Sequence, residues 1–166
     1  MPATYEKIAT TTLGSAASSI TFSSIAATYT DLRLVLVSTG SVANYAKINF
    51  NSDTATNYSN TNLYGDGSSV YSARDTTAST IFLDGGYTQM STTVPALYEV
   101  DIFSYAGSTF KTFLSAASID KNGSGSVARL VGLYRSTSAI SSIVLAVNTG
   151  NFATGTTATL YGILKA

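Results

Sequence analysis

Two carboxylates, Glu99 and Asp101, stand two residues apart and are the pair in this chain best spaced for acid–base chemistry. On an extended strand they share one face at a separation of roughly 7 Å. That lies inside the window of about 5 to 10 Å in which a glycosidase sets a general acid opposite a base or nucleophile. Such a pair also needs one carboxyl desolvated so that it stays protonated. The chain has no Trp to build that wall. Two solvated charges on an outer sheet face are therefore the expectation, with glycoside hydrolysis by Glu99 and Asp101 as the lesser alternative.

A second constellation is Asp120-Lys121-Asn122-Gly123-Ser124-Gly125, with oxygen side chains at the first, third and fifth positions and glycine at the sixth, like the opening of a calcium loop. The twelfth position is Val131 instead of a bidentate Glu, and Lys121 sits within the loop. A hairpin turn is the better reading. Gly65-Asp66-Gly67 and Gly155 lack the lysine and the strand-to-helix setting of phosphate loops and also read as turns. Neither His nor Cys occurs. That removes Ser-His-Asp and Cys-His catalysis and nearly all structural zinc sites, so no metal, no cofactor and no enzymatic activity are expected.

Tyrosine is the remaining residue type with binding chemistry. Of eleven, Tyr58, Tyr64, Tyr71 and Tyr87 fall in or beside a polar middle region. There they could stack on sugar rings or anchor a protein interface, since Tyr offers a large rigid apolar face and a hydroxyl at small entropy cost. The competing reading is that Tyr is a good strand residue that keeps its hydroxyl wet.

What must position these residues is a sheet. The 166 residues suit one domain, 1–166, and only 11% are charged. Ser and Thr, roughly three residues in ten, supply the polarity instead. Nine basic residues balance nine acidic ones, so no field steers the chain to nucleic acid or to an anionic membrane. No stretch approaches the ~20 apolar residues of a membrane span. Met1–Lys7 shows no basic region leading into an apolar one, so no secretory signal is expected.

Alternation at period two recurs in segments rich in Val, Ile, Thr, Tyr and Phe. It places Tyr98, Val100 and Ile102 on one face, Glu99, Asp101 and Phe103 on the other. It likewise groups Ile143, Leu145 and Val147, and sets Leu32, Leu34 and Leu36 opposite Arg33, Val35 and Val37. That last strand is apolar on both sides, as in a central strand or one covered by a neighbouring subunit. Further strands are expected at Tyr5–Leu13, Ser19–Ser23, Tyr45–Phe50, Ser69–Ala73, Thr80–Leu83, Phe110–Ile119, Val127–Tyr134 and Ala158–Leu164. Asp66-Gly67, Asp84-Gly85-Gly86, Asn122-Gly123 and Thr149-Gly150-Asn151 mark turns between them. A short helical turn could hide at Ala43–Tyr45 or Ser15–Ser18. From Ser52 to Met90 the pattern weakens, and long loops at one end are expected there.

About ten short strands with glycine-rich turns predict an all-β, antiparallel β-sandwich, jelly-roll-like, with Met1–Thr12 as an extended N-terminal strand or arm. Two prolines and few charged strand positions leave the edges unprotected. A homo-oligomer, a trimer by preference, would cover them.

Two stretches also carry a resemblance. Tyr5-Glu6-Lys7-Ile8-Ala9 through Leu13-Gly14-Ser15, Ile20-Thr21-Phe22-Ser23-Ser24-Ile25 and Tyr29-Thr30-Asp31-Leu32-Arg33-Leu34-Val35 form the first. Ile140-Ser141-Ser142-Ile143 through Asn151-Phe152, and Gly155 to Leu160-Tyr161-Gly162-Ile163, form the second. Together, over roughly a third of the chain, they resemble small β-sandwich virion structural proteins of tailed bacteriophages of cyanobacteria and other aquatic bacteria. The resemblance implies a particle component assembled in the host cytoplasm and contains no catalytic position. It leaves the location open between a capsid decoration or cement protein, whose partner is the major capsid protein or another virion protein, and a tail-fibre or receptor-binding part that touches host glycan. The short chain, without a coiled-coil or repetitive shaft and with a hydroxyl-rich, weakly charged composition, favours the first.

Overall fold

The structure, a computed structural model, describes residues 4–87 and 89–164. Among them are twelve strands and no helix. Eight strands form the larger sheet: β1 (Tyr5–Thr12), β3 (Asp31–Ser38), β5 (Tyr58–Gly65), β6 (Val70–Ala78), β8 (Ala96–Ile102), β9 (Lys111–Asp120), β10 (Gly125–Tyr134) and β12 (Thr157–Ile163). Their spatial order is β1-β12-β3-β8-β9-β10-β5-β6. Four form the smaller sheet: β2 (Ser19–Phe22), β4 (Ala46–Phe50), β7 (Ile81–Phe82) and β11 (Ile143–Val147), in the order β2-β11-β4-β7. Every pairing is antiparallel. The all-β sandwich expected from the period-two pattern is what the chain forms.

One core lies between the sheets. From the larger sheet it takes Leu32, Leu34 and Leu36, Tyr98, Val100 and Ile102, Phe113, Leu130 and Leu160; from the smaller it takes Ile20, Phe22, Ile48, Phe50, Ile143 and Leu145. The predicted faces of β3, β8 and β11 are thus the observed ones. β3 sits inside its sheet, between β12 and β8. Its second apolar row, Val35 and Val37, points away from the core.

Close backbone approach shapes two positions. A Cβ on Gly132 would lie 2.1 Å from Phe113, its cross-strand neighbour, and one on Gly162 would lie 2.3 Å from the Tyr29 ring. Each glycine gives an aromatic ring its seat. The turn glycines read from sequence also hold: Gly67 and Gly123 close the β5–β6 and β9–β10 hairpins with φ of 86° and 109°.

Two expectations need correction. Residues 52–90 are not mainly long loops, because β5, the longer β6 and β7 lie within them. β5 reads Tyr-Ser-Asn-Thr-Asn-Leu-Tyr-Gly, so the residues on its inward face, Asn60 and Asn62, carry no apolar signal. The strand is held by register with β10 on one side and β6 on the other. No helical turn forms at Ser15–Ser18 or Ala43–Tyr45, where Ala17 bridges to Phe152 and Asn44 to Met90. Of the expected N-terminal strand or arm over Met1–Thr12, Tyr5–Thr12 is a strand, at the sheet edge and paired with β12, and Met1–Ala3 lie outside the described residues.

Candidate functional site

The four tyrosines separate into two groups. Tyr58 opens β5 on its inward face and is fully buried. Its ring stacks on Tyr134 at 4.9 Å and leans on Phe50. Its hydroxyl accepts the Phe50 N–H at 3.0 Å and donates to the Asp53 carbonyl at 3.1 Å. Burial pushes its pKa up to about 12. Tyr58 is a core residue, removed from any surface contact.

The other three meet at the surface. β5 and β6 bring Tyr64 opposite Tyr71, and the chain after the Asp84–Gly86 turn lays Tyr87 on the remaining face of Tyr64. The centroids are 5.1 and 4.7 Å apart and the planes within 16° and 10°. Tyr71 and Tyr87 are exposed; Tyr64 is sandwiched and half-buried. Its hydroxyl lies 3.4 Å from Asp66, whose carboxylate is held below the usual carboxylate range by the N–H groups of Ser68 and Ser69.

Tyr87 stands between two clefts. One, about 450 Å³, runs under the β5–β6 hairpin toward β7, and Asn60, Asn62, Arg74, Asp75 and Thr77 line it. The other, about 240 Å³, is bounded by Tyr45, Gln89, Lys121 and Asp66. Sequence reasoning found the tyrosines but not the asparagines, which carry no distinguishing signal until β5 is recognised as a strand.

A different surface covers the outer face of the larger sheet. Register puts Val70, Gly65, Val127, Ser118, Leu97 and Val37 in one row across β6, β5, β10, β9, β8 and β3. Strand spacing makes that row roughly 24 Å long. Val70, Val127 and Leu63 are 74%, 63% and 53% exposed, and Leu97, Leu114 and Val131 are also open. A groove of about 470 Å³ runs through the patch.

No protein-family model, curated protein or solved structure matches this chain.

The carboxylate pair lies at the border of that apolar face. Register places Glu99 beside Val35 and Asp101 beside Arg33. The Arg33 guanidinium reaches both, with Nη2 2.5 Å from Glu99 Oε1 and Nη1 3.3 Å from Asp101 Oδ1. The hydrogen bond to Glu99 is the main reason the Arg33 pKa is raised. One cation thus spans both carboxylates, so the side chain between them is the protein's own arginine. The sequence placed all three on strands but could not show that the register would join them.

Asp120–Gly125 closes the β9–β10 hairpin. Asp120 Oδ1 accepts the Asn122 N–H at 2.8 Å, and the Lys121 N–H donates to the Ser124 carbonyl at 2.7 Å. Among the described residues no group of three or more His, Cys, Asp or Glu side chains is placed to hold a metal ion.

Proposed function

We propose that this chain is a structural protein of a tailed-bacteriophage virion, a capsid decoration or cement protein that binds the outside of the assembled major capsid protein shell. One observation carries the reading: the broad outer face of the eight-stranded sheet exposes Leu63, Val70, Leu97, Leu114, Val127 and Val131 together. Apolar residues gathered this way mark an interaction surface. Arg33, Glu99, Asp101 and Arg129 interrupt the patch with balanced charge, which gives a contact its register more than its strength. A protein that binds only the assembled lattice stabilises that lattice by mass action, about 2.7 kcal/mol when it is present at a hundredfold excess over Kd.

The same reading includes a homo-oligomer, with a trimer favoured. β1 and β6 leave open edges on the large sheet, and the described part of the chain shields neither. Catalysis has no part in it. A second reading, a tail-fibre or receptor-binding part, draws on the exposed Tyr71 and Tyr87 beside Tyr64.

Two experiments test these assignments. Purified protein should co-sediment with emptied phage heads and not with isolated tails, and antibody-linked gold should scatter over the heads of intact particles. Gold confined to the tail would overturn the cement reading in favour of the fibre part. Gold on neither would end both.

A further inference from the structure

We infer that the cleft between the β5–β6 hairpin and the β7 turn is a binding site for a neutral oligosaccharide. Its volume, about 450 Å³, falls in the range of small-ligand sites. Its wall is amide, hydroxyl, carboxylate and guanidinium: Asn60, Asn62, Thr77, Asp75 and Arg74. Those groups present donors and acceptors side by side, the pattern that vicinal sugar hydroxyls complete.

Asn62 forms the floor of the cleft. It is only 5% exposed, and its Nδ2 donates to Asn60 Oδ1 at 3.1 Å, yet its Oδ1 has no hydrogen-bond partner. Buried side-chain acceptors are normally satisfied; this one is held in place by the packing around it and not by a bond of its own. Gly85, with φ of +73°, lets the turn sit directly on this amide. A Cβ there would lie 2.6 Å from Asn62 Cγ. The cleft floor is therefore built around Asn62, a covered polar base, and ligand hydroxyls would meet the side chains of Asn60, Asp75 and Thr77 on the walls.

Tyr87 supplies the apolar half of recognition. One ring face rests on Tyr64, and the residue stays 39% exposed while lining both this cleft and the neighbouring one bounded by Tyr45 and Gln89. A sugar ring on Tyr87 would place its neighbours in either cleft, so a short chain fits better than a monosaccharide. Charge selects the class. Arg74 balances Asp75 in the first cleft and Lys121 balances Asp66 in the second, leaving no net field for a phosphate, sulfate or sialic acid. A single carboxylate in the first cleft makes this a binding site and not a hydrolytic one.

The inference is independent of where the chain sits in a particle, which the gold label decides. Its test is an NMR titration of the ¹⁵N-labelled protein with maltotriose, cellotriose, chitotriose and N-acetyllactosamine at millimolar concentration. A microarray carrying neutral, sialylated and sulfated bacterial-surface glycans runs beside it. At least one neutral glycan should shift the amides of Asn60, Asn62, Thr77 and Gly85. Tyr87→Ala and Asn60→Ala should each weaken that binding about tenfold or more while chemical shifts elsewhere show an intact fold. Tyr5→Ala, on the opposite edge of the sheet, should leave it unchanged. The inference is overturned if no neutral glycan binds in either format, if only anionic glycans bind, or if the shifts map away from this cleft.

Discussion

Tyr58 and Tyr134 stack at 4.9 Å and send both hydroxyls to the same residue: Tyr58 donates to the Asp53 carbonyl and Tyr134 to Asp53 Oδ2, each at 3.1 Å. The loop after β4 is thereby fastened to the aromatic core formed with Phe50 and Phe113. This is also why the most buried of the four candidate tyrosines cannot be a surface contact.

The fastening should depend on pH. Asp53 accepts from Asn57 Nδ2, the Ala55 N–H and Tyr134, and the Asn57 bond leads in holding its pKa below the ordinary value. A depressed carboxylate contributes stability above its unfolded value of about 3.9, and that contribution is lost as pH falls through the lower folded value. Asp53→Asn should therefore flatten the acid limb of a urea-denaturation series. Tyr134→Phe should cost about 1 kcal/mol at neutral pH, and much less in an Asp53→Ala background, which removes the acceptor. Equal costs in both backgrounds would refute the shared bond.

Gly132→Ala should destabilise the fold by about 1–3 kcal/mol, because the added methyl enters the Phe113 ring and that ring is itself wedged edge-on against Phe50. Trimming the obstacle gives the check. In a double-mutant cycle, Phe113→Leu should recover part of the loss, whereas additive costs would show that the ring is not the cause.

Lys111 is fully buried, with Nζ donating to the Ser136 and Ser138 carbonyls at 3.1 and 2.6 Å, and burial lowers its pKa. Lys111→Met keeps the apolar stem but strips both carbonyls of a donor, so it should cost about 1–3 kcal/mol and speed amide exchange in residues 135–142. With the folded pKa below the unfolded value of about 10.4, the unfolded chain holds the proton more tightly between the two. Wild-type stability relative to the variant should thus increase as pH rises through that window.

On the outer face, Val127→Glu and Val70→Glu should change stability by no more than about 0.5 kcal/mol, since both side chains already face water. Binding to emptied heads should nevertheless fall about tenfold or more if this face is the contact. Co-sedimentation alongside thermal unfolding separates the two effects, and unchanged binding by both variants would remove the face from the interface.

The parts of the fold legible in sequence are those whose alternation is apolar against polar. Leu32/Leu34/Leu36, Tyr98/Val100/Ile102 and Ile143/Leu145/Val147 all point where their period put them. β5 escaped because its inward residues Asn60 and Asn62 face a polar cleft, so the hydrophobic pattern vanishes where the candidate site begins. The Arg33 bridge to Glu99 and Asp101 escaped for another reason. It depends on the pairing of β3 with β8, more than sixty residues apart, and register between distant strands is not written in either strand alone.

The β1–β12 pair has a consequence in time. Thr10 meets Thr159, 149 residues later, so β1 has no partner until almost all the intervening chain exists. At ribosomal rates that is a wait of roughly 8 to 30 s. Throughout it β1 is an unpaired strand beside every other nascent copy on the same message, and exchange of β1 between copies competes with self-closure for as long as the delay lasts.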